Sequence, residues 1–230
     1  MNDNYEMKLL AGLPAYVDNV PVYSPRLKRI AKIDDSVYSL YLYLCINENL
    51  NPIFMTHKCK FYNICHTYSE DMWDFFVQAL EFFTGEIFCK HKQDGENFLI
   101  SENSVLHKNN FDEFVNLVKF ANGFSDEKEN KIKRNAELDR KIEEAKRKIN
   151  ERLNKKEELG NDIRIIDLVS VLASKHHNLN IINIWRLNIY QFNDQFKQMQ
   201  LIENYDIGIR QLLAGADKKD VKLEYYIKRK

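Results

Sequence analysis

Apolar residues along this chain recur mostly three and four positions apart, the period of a helix with one buried face. Leu27, Ile30, Ile33, Val37, Leu40 and Leu44 keep that spacing after Ser24-Pro25, a pair that reads as N-cap and first helical residue. Asp34-Asp35-Ser36 marks a break and restart, because all three favour caps and turns. Ser69 caps a second helix whose Trp73, Phe76, Leu80 and Phe83 form one apolar stripe, stopped by Gly85. Asn110-Phe111-Asp112-Glu113 has the form of a capping box with Asn in the Ser or Thr position, and Phe114, Leu117, Val118 and Ala121 follow before Gly123. Ile163 to Ala173 is apolar on nearly every side and predicts a buried helix. Asn188-Ile189-Tyr190-Gln191 repeats the capping arrangement. Ile189, Phe192, Phe196 and Met199 then make a core face, which leaves Gln191, Asp194, Gln195 and Gln198 toward solvent or a partner. Gly208 is placed to bend or divide this last helix, and Gly215 ends it.

Period-two patterning is rarer. Ala15 to Tyr23 predicts one strand, confined to an edge by Pro21. Glu86 to Lys92 and Asn97 to Ser101 flank Gln93-Asp94-Gly95-Glu96, the turn chemistry of a hairpin, and Asn178 to Trp185 leans toward an extended segment. The expected class is mainly α (α+β), a helical domain with a small antiparallel hairpin and one long charged helix.

That charged helix is expected over 125–160, where acids stand four residues before bases at Glu127/Lys131, Glu129/Lys133, Glu137/Lys141, Glu143/Arg147, Glu144/Lys148 and Glu151/Lys155. Such pairs together add ~1–3 kcal/mol, so the segment can stay helical with little burial. Its narrow seam of Leu138, Ile142, Ala145, Ile149 and Leu153 suits a partner helix or self-association, and equally a solvated arm. The chain therefore divides into a helical part with a small β element (1–124), the charged helix (125–160) and a helical part packing back on the first (161–230).

Charge changes the picture mainly by exclusion. Lys plus Arg and Asp plus Glu both number 34, so no global field draws the chain to nucleic acid or an anionic membrane. Basic residues are interleaved with acids along the charged helix, and only the end of the chain, closing in Lys228-Arg229-Lys230, is locally basic. No basic stretch leads into an apolar one at the N-terminus, and no run reaches the roughly 18 apolar residues of a bilayer span, which predicts a cytoplasmic protein. The abundance of Asn, Lys, Ile and Tyr hints at an AT-rich coding genome.

Candidate chemistry is sparse. His57, Cys59, Cys65 and His66 put four zinc-type donors within ten residues, but the H-x-C step and the adjacent Cys-His pair crowd them, and no metal is expected. Cys45, Cys59, Cys65 and Cys89 read as reduced thiols, and no local signature marks a Cys/His nucleophile. The seven glycines form no phosphate-cradling loop, and no cofactor is expected. His176-His177 at a helix end suits the C-terminal dipole when protonated. The residues thus point away from an enzyme.

With these elements in order, the chain resembles the tail-assembly chaperones of Gram-positive tailed phages and prophages. The likeness rests on Leu187 to Gly215, where that family shows a Leu-Thr-x-Tyr-Gln opening and a Leu-Ala-Gly close; here Asn188 stands for Thr and keeps the capping function. A weaker match lies in Asn109-Asn110-Phe111-Asp112-Glu113-Phe114. The resemblance implies a non-enzymatic protein that binds the tape measure protein and assists tail tube assembly. Partner contacts are then expected at Leu138, Ile142, Ile149, Tyr190, Gln191 and Gln195. The alternatives are a virion structural or adaptor protein assembling through the long helix, and a nucleic-acid-binding regulator.

Overall fold

Phe76, Phe83, Phe111 and Phe114 are all fully buried, and the helices that carry them organise the rest of the chain. The computed structural model describes residues 3–46, 61, 64, 65, 68–93, 95–124, 164–217 and 221. Within these the order is α1 (Asp3–Leu10), β1 (Ala15–Val17), β2 (Val20–Val22), α2 (Leu27–Ile33), α3 (Asp35–Ile46), α4 (Glu70–Thr84), β3 (Cys89–Gln93), β4 (Glu96–Ile100), β5 (Val105–Leu106), α5 (Phe111–Ala121), α6 (Ile165–Lys175), a 3₁₀ turn (Ile184–Arg186) and α7 (Ile189–Leu213). The fold is mainly α with two small antiparallel sheets, the class that the apolar spacing predicts. The expected charged helix over 125–160, with Leu138, Ile142 and Ile149, lies outside the described residues.

Helix α4 forms where its caps predict. The Ser69 hydroxyl accepts from the Met72 N–H, and Gly85, at φ 74°, donates its N–H to the Glu81 carbonyl. Phe76 collects the rings of Tyr68, Trp73 and Phe111 at centroid distances of 5.6, 5.6 and 6.4 Å. Tilted and edge-on pairs of this kind add ~0.5–1.5 kcal/mol each beyond the area they bury. The break between α2 and α3 is also where Asp34 predicts it: its backbone takes φ 75°, and its carboxylate accepts from the N–H groups of Asp35 and Ser36.

Several local expectations are corrected. Ala15 to Tyr23 is a hairpin rather than one strand, with Asp18 at φ 51° in its tight turn and the register Ala15↔Val22, Tyr16↔Pro21, Val17↔Val20. The alternation had hidden the turn because Ala15, Val17, Val20 and Val22 are all buried, against α4 and α5. The second hairpin gains a third strand, in the order β3-β4-β5. The Asn110 side chain does not cap α5. Its Oδ1 accepts from the His107 N–H, and its Nδ2 donates to Asp18 and to the Val105 carbonyl, which ties the two sheets together. Ser24-Pro25 does not start α2, whose N-cap is Arg26.

The C-terminal elements are corrected as well. Helix α6 buries only Val169 and Leu172, with Ile166 and Val171 about 40% exposed, so it lies on the surface with one face inward. Asn178 to Trp185 is turns and a 3₁₀ turn, held by the Asn180 and Asn183 side chains, whose bonds to nearby N–H groups compete with extension. Helix α7 runs unbroken through Gly208, because an interior glycine costs only about 1 kcal/mol. Past the end of α6, His176 Nδ1 accepts from the N–H groups of Asn178 and Leu179.

Gly123 ends α5 at φ 82°, and a Cβ there would sit 2.2 Å from Nδ2 of Asn193. Gly123→Ala should therefore cost roughly 1–3 kcal/mol, read as a lowered urea midpoint with unchanged slope.

Candidate functional site

Helix α7 starts against the end of α1, and every exposed donor of its first turn is used. The Ile189 N–H donates to the Pro25 carbonyl at 2.8 Å, the Tyr190 N–H to the Ser24 hydroxyl at 3.0 Å and the Gln191 N–H to Asn188 Oδ1 at 2.7 Å. Gln191 Oε1 in return accepts from the Asn188 N–H, completing the predicted capping box. The side-chain amides then reach across: Asn188 Nδ2 donates to the Leu9 carbonyl at 3.0 Å, and Gln191 Nε2 to the Leu10 carbonyl at 2.8 Å. Leu27 N–H donates to the Leu187 carbonyl beside them. Ser24 is thus a helix cap, as its type suggests, but for a helix far along the chain. No local pattern could have shown that pairing.

The predicted partner residues divide accordingly. Tyr190 and Gln191 are half-buried in this junction, with the Tyr190 ring 5.3 Å from that of Phe120. Gln195 is half-exposed one turn on, its amide near the Asp194 carboxylate. Burial, with Glu6 and Asp194 nearby, pushes the Tyr190 phenol up to about 12. Burial likewise raises Tyr38, whose hydroxyl donates to Asn122 Oδ1 at 2.7 Å, and Tyr41.

Beyond this junction α7 presents two faces. Phe192 is buried and stacks on Phe196, while Lys175 of α6 pairs with Glu203. Further out, Ile202, Ile209 and Leu213 share one stripe at i, i+7 and i+11, with Ile202 44% and Leu213 83% exposed. Gly215, Ala216 and their bonds to the Leu212 and Gln211 carbonyls close the helix in a Schellman motif.

A cleft of about 670 Å³ opens next to the junction, between α2 and the 3₁₀ turn. It is lined by Arg26, Lys28, Ala31, Ile182, Trp185 and Arg186. The sequence offered one signal for it, four bases and no acid between Arg26 and Lys32, but the other wall comes from a distant segment. Of the four zinc-type donors only Cys65 is described; it is buried, and its carbonyl accepts from Lys90 Nζ. Among the described residues no cluster of His, Cys, Asp or Glu could hold a metal, and no helix is long and apolar enough to cross a membrane.

The last third of this mainly helical chain is similar to a phage-derived domain. Residues 154–229 match the family model described as YomV second domain, a family derived from a Bacillus phage. None of the curated proteins and none of the solved structures compared with the chain matches it.

Asn188→Ala removes the cap acceptor and the bond to Leu9 together, and should cost ~2–4 kcal/mol; Asn188→Asp keeps the cap acceptor and should lose less, both measured by urea unfolding. Phenols raised by folding bind protons more tightly in the native state. Stability should therefore be fully present below pH 10, the ordinary phenol value, and fall as pH rises toward 12. Tyr190→Phe should show a shallower fall in unfolding midpoint between pH 9 and 11.5 than the parent.

Proposed function

We propose that this chain is a non-enzymatic binding protein of a phage or prophage that acts as a tail-assembly chaperone, working without a cofactor in the host cytoplasm. Its partner is the tape measure protein, a long amphipathic helical chain that aggregates when its apolar face is left in water. The observation that carries this reading is the stripe of exposed Ile202 and Leu213 with half-buried Ile209 between them, which lies inside the region similar to the phage-derived domain. An apolar stripe at helical spacing is the surface against which a second amphipathic helix packs. The Tyr-Gln opening and Leu-Ala-Gly close of Leu187 to Gly215 support the same reading. In it Tyr190 and Gln191 set the direction in which α7 projects, and Gln195 borders the surface it offers.

Co-expression with the tape measure protein of the same genome should keep that partner in the soluble fraction. Ile202→Asp with Leu213→Asp should return it to the pellet while leaving the helical circular dichroism of this chain unchanged. A tape measure that stays insoluble beside the parent protein, with this chain recovered stoichiometrically from purified virions, would replace the chaperone by the structural adaptor.

A further inference from the structure

We propose that the cleft between α2 and the 3₁₀ turn is a docking site for an acidic segment of a partner protein, one that sets an apolar side chain against Trp185 between carboxylates. Charge complementarity carries the proposal. Arg26, Lys28 and Arg186 converge on the cleft, and among the described residues no acidic side chain lines it and none of the three takes part in an ion pair. Arg29, by contrast, is already used, its guanidinium 4.6 Å from the centre of the Phe82 ring. Three like charges gathered without an acid repel one another, and a carboxylate partner relieves that repulsion. Arginine adds paired, planar donors that match a carboxylate.

The walls are held from the main chain, so the charged ends are placed without being consumed. Arg26 forms a β-bridge with Asn188, and the Arg186 N–H donates to the Asn183 carbonyl. The remaining lining favours a peptide over a nucleic acid. Ile182, 84% exposed, and Ala31 gain by covering an aliphatic side chain, whereas a base would find a stacking surface only on Trp185. Three cations on a chain of zero net charge also give little of the counterion release that drives nucleic-acid binding. A cleft of about 670 Å³ is of the size that takes a few side chains.

The proposal is independent of the apolar stripe on α7 and of the identity of the tape measure as partner, since it is tested on the purified full chain. Fluorescence anisotropy with a fluorescein-labelled peptide alternating Glu and Leu should show saturable binding. The same peptide with Lys for Glu should not bind. Arg26→Glu and Arg186→Glu, both at exposed side chains, should each weaken binding at least tenfold with unchanged circular dichroism, and Lys28→Glu supplies a third variant should either misfold. Absence of binding to the parent, or equal affinity in the charge-reversed proteins, overturns the proposal. So does tighter binding to a labelled oligo-dT that the same reversals abolish, which would assign the cleft to single-stranded nucleic acid.

Discussion

The placement of the C-terminal helix on the described structure depends on one end-to-end meeting of helices. The N-terminus of α7 carries a partial positive charge and N–H groups without partners in their own helix, and the C-terminus of α1 carries the opposite charge, its Met7, Lys8 and Leu9 carbonyls already accepting from Ala11, Leu13 and Gly12. Setting one against the other still leaves the first N–H groups of α7 in need of acceptors. Asn188 and Gln191 solve this by facing both ways, accepting from or donating to their own helix and donating to Leu9 and Leu10 of the other. Ser24 and Pro25 take the remaining donors. Asn188 is 5% exposed, so these bonds form where an unmade one is costly.

A second meeting point fixes how α7 leaves this junction. Asn122 accepts the Tyr38 hydroxyl from α3, donates to Val118 within its own helix and accepts from Asn193 of α7 through its carbonyl. The glycine that follows leaves room for Asn193 to approach. Three helices from separate parts of the chain thus share one amide residue. The path of α7 is thus set by hydrogen bonds to two buried asparagines, Asn122 and Asn188.

What the sequence discloses follows from the range of the forces involved. Helix ends written by local chemistry were legible: Ser69, Gly85, Asp34, Asn188 and Gly215 act where their types predict. Errors fall where a side chain chose a distant partner over its own helix. Ser24 caps α7, Asn110 ties β5 to the first hairpin, and neither choice leaves a mark on the neighbouring residues. The hairpin at Ala15 to Val22 was misread because Ala15, Val17, Val20 and Val22 are all buried, so the apolar pattern runs on across the turn. Of the cleft only the basic run from Arg26 to Lys32 was legible, because its other wall comes from a distant part of the chain.

The junction is unequal in what it asks of its two sides. From the C-terminal region it requires particular side chains at Asn188 and Gln191, while the N-terminal region answers almost wholly with main-chain groups, the carbonyls of Leu9, Leu10 and Pro25 and the N–H of Leu27. Main-chain atoms are the same whatever residue bears them. The N-terminal side of the junction can therefore change its side chains at Leu9, Leu10 and Leu27 without losing these bonds so long as its backbone path is kept, whereas the C-terminal side is tied to its Asn-x-x-Gln.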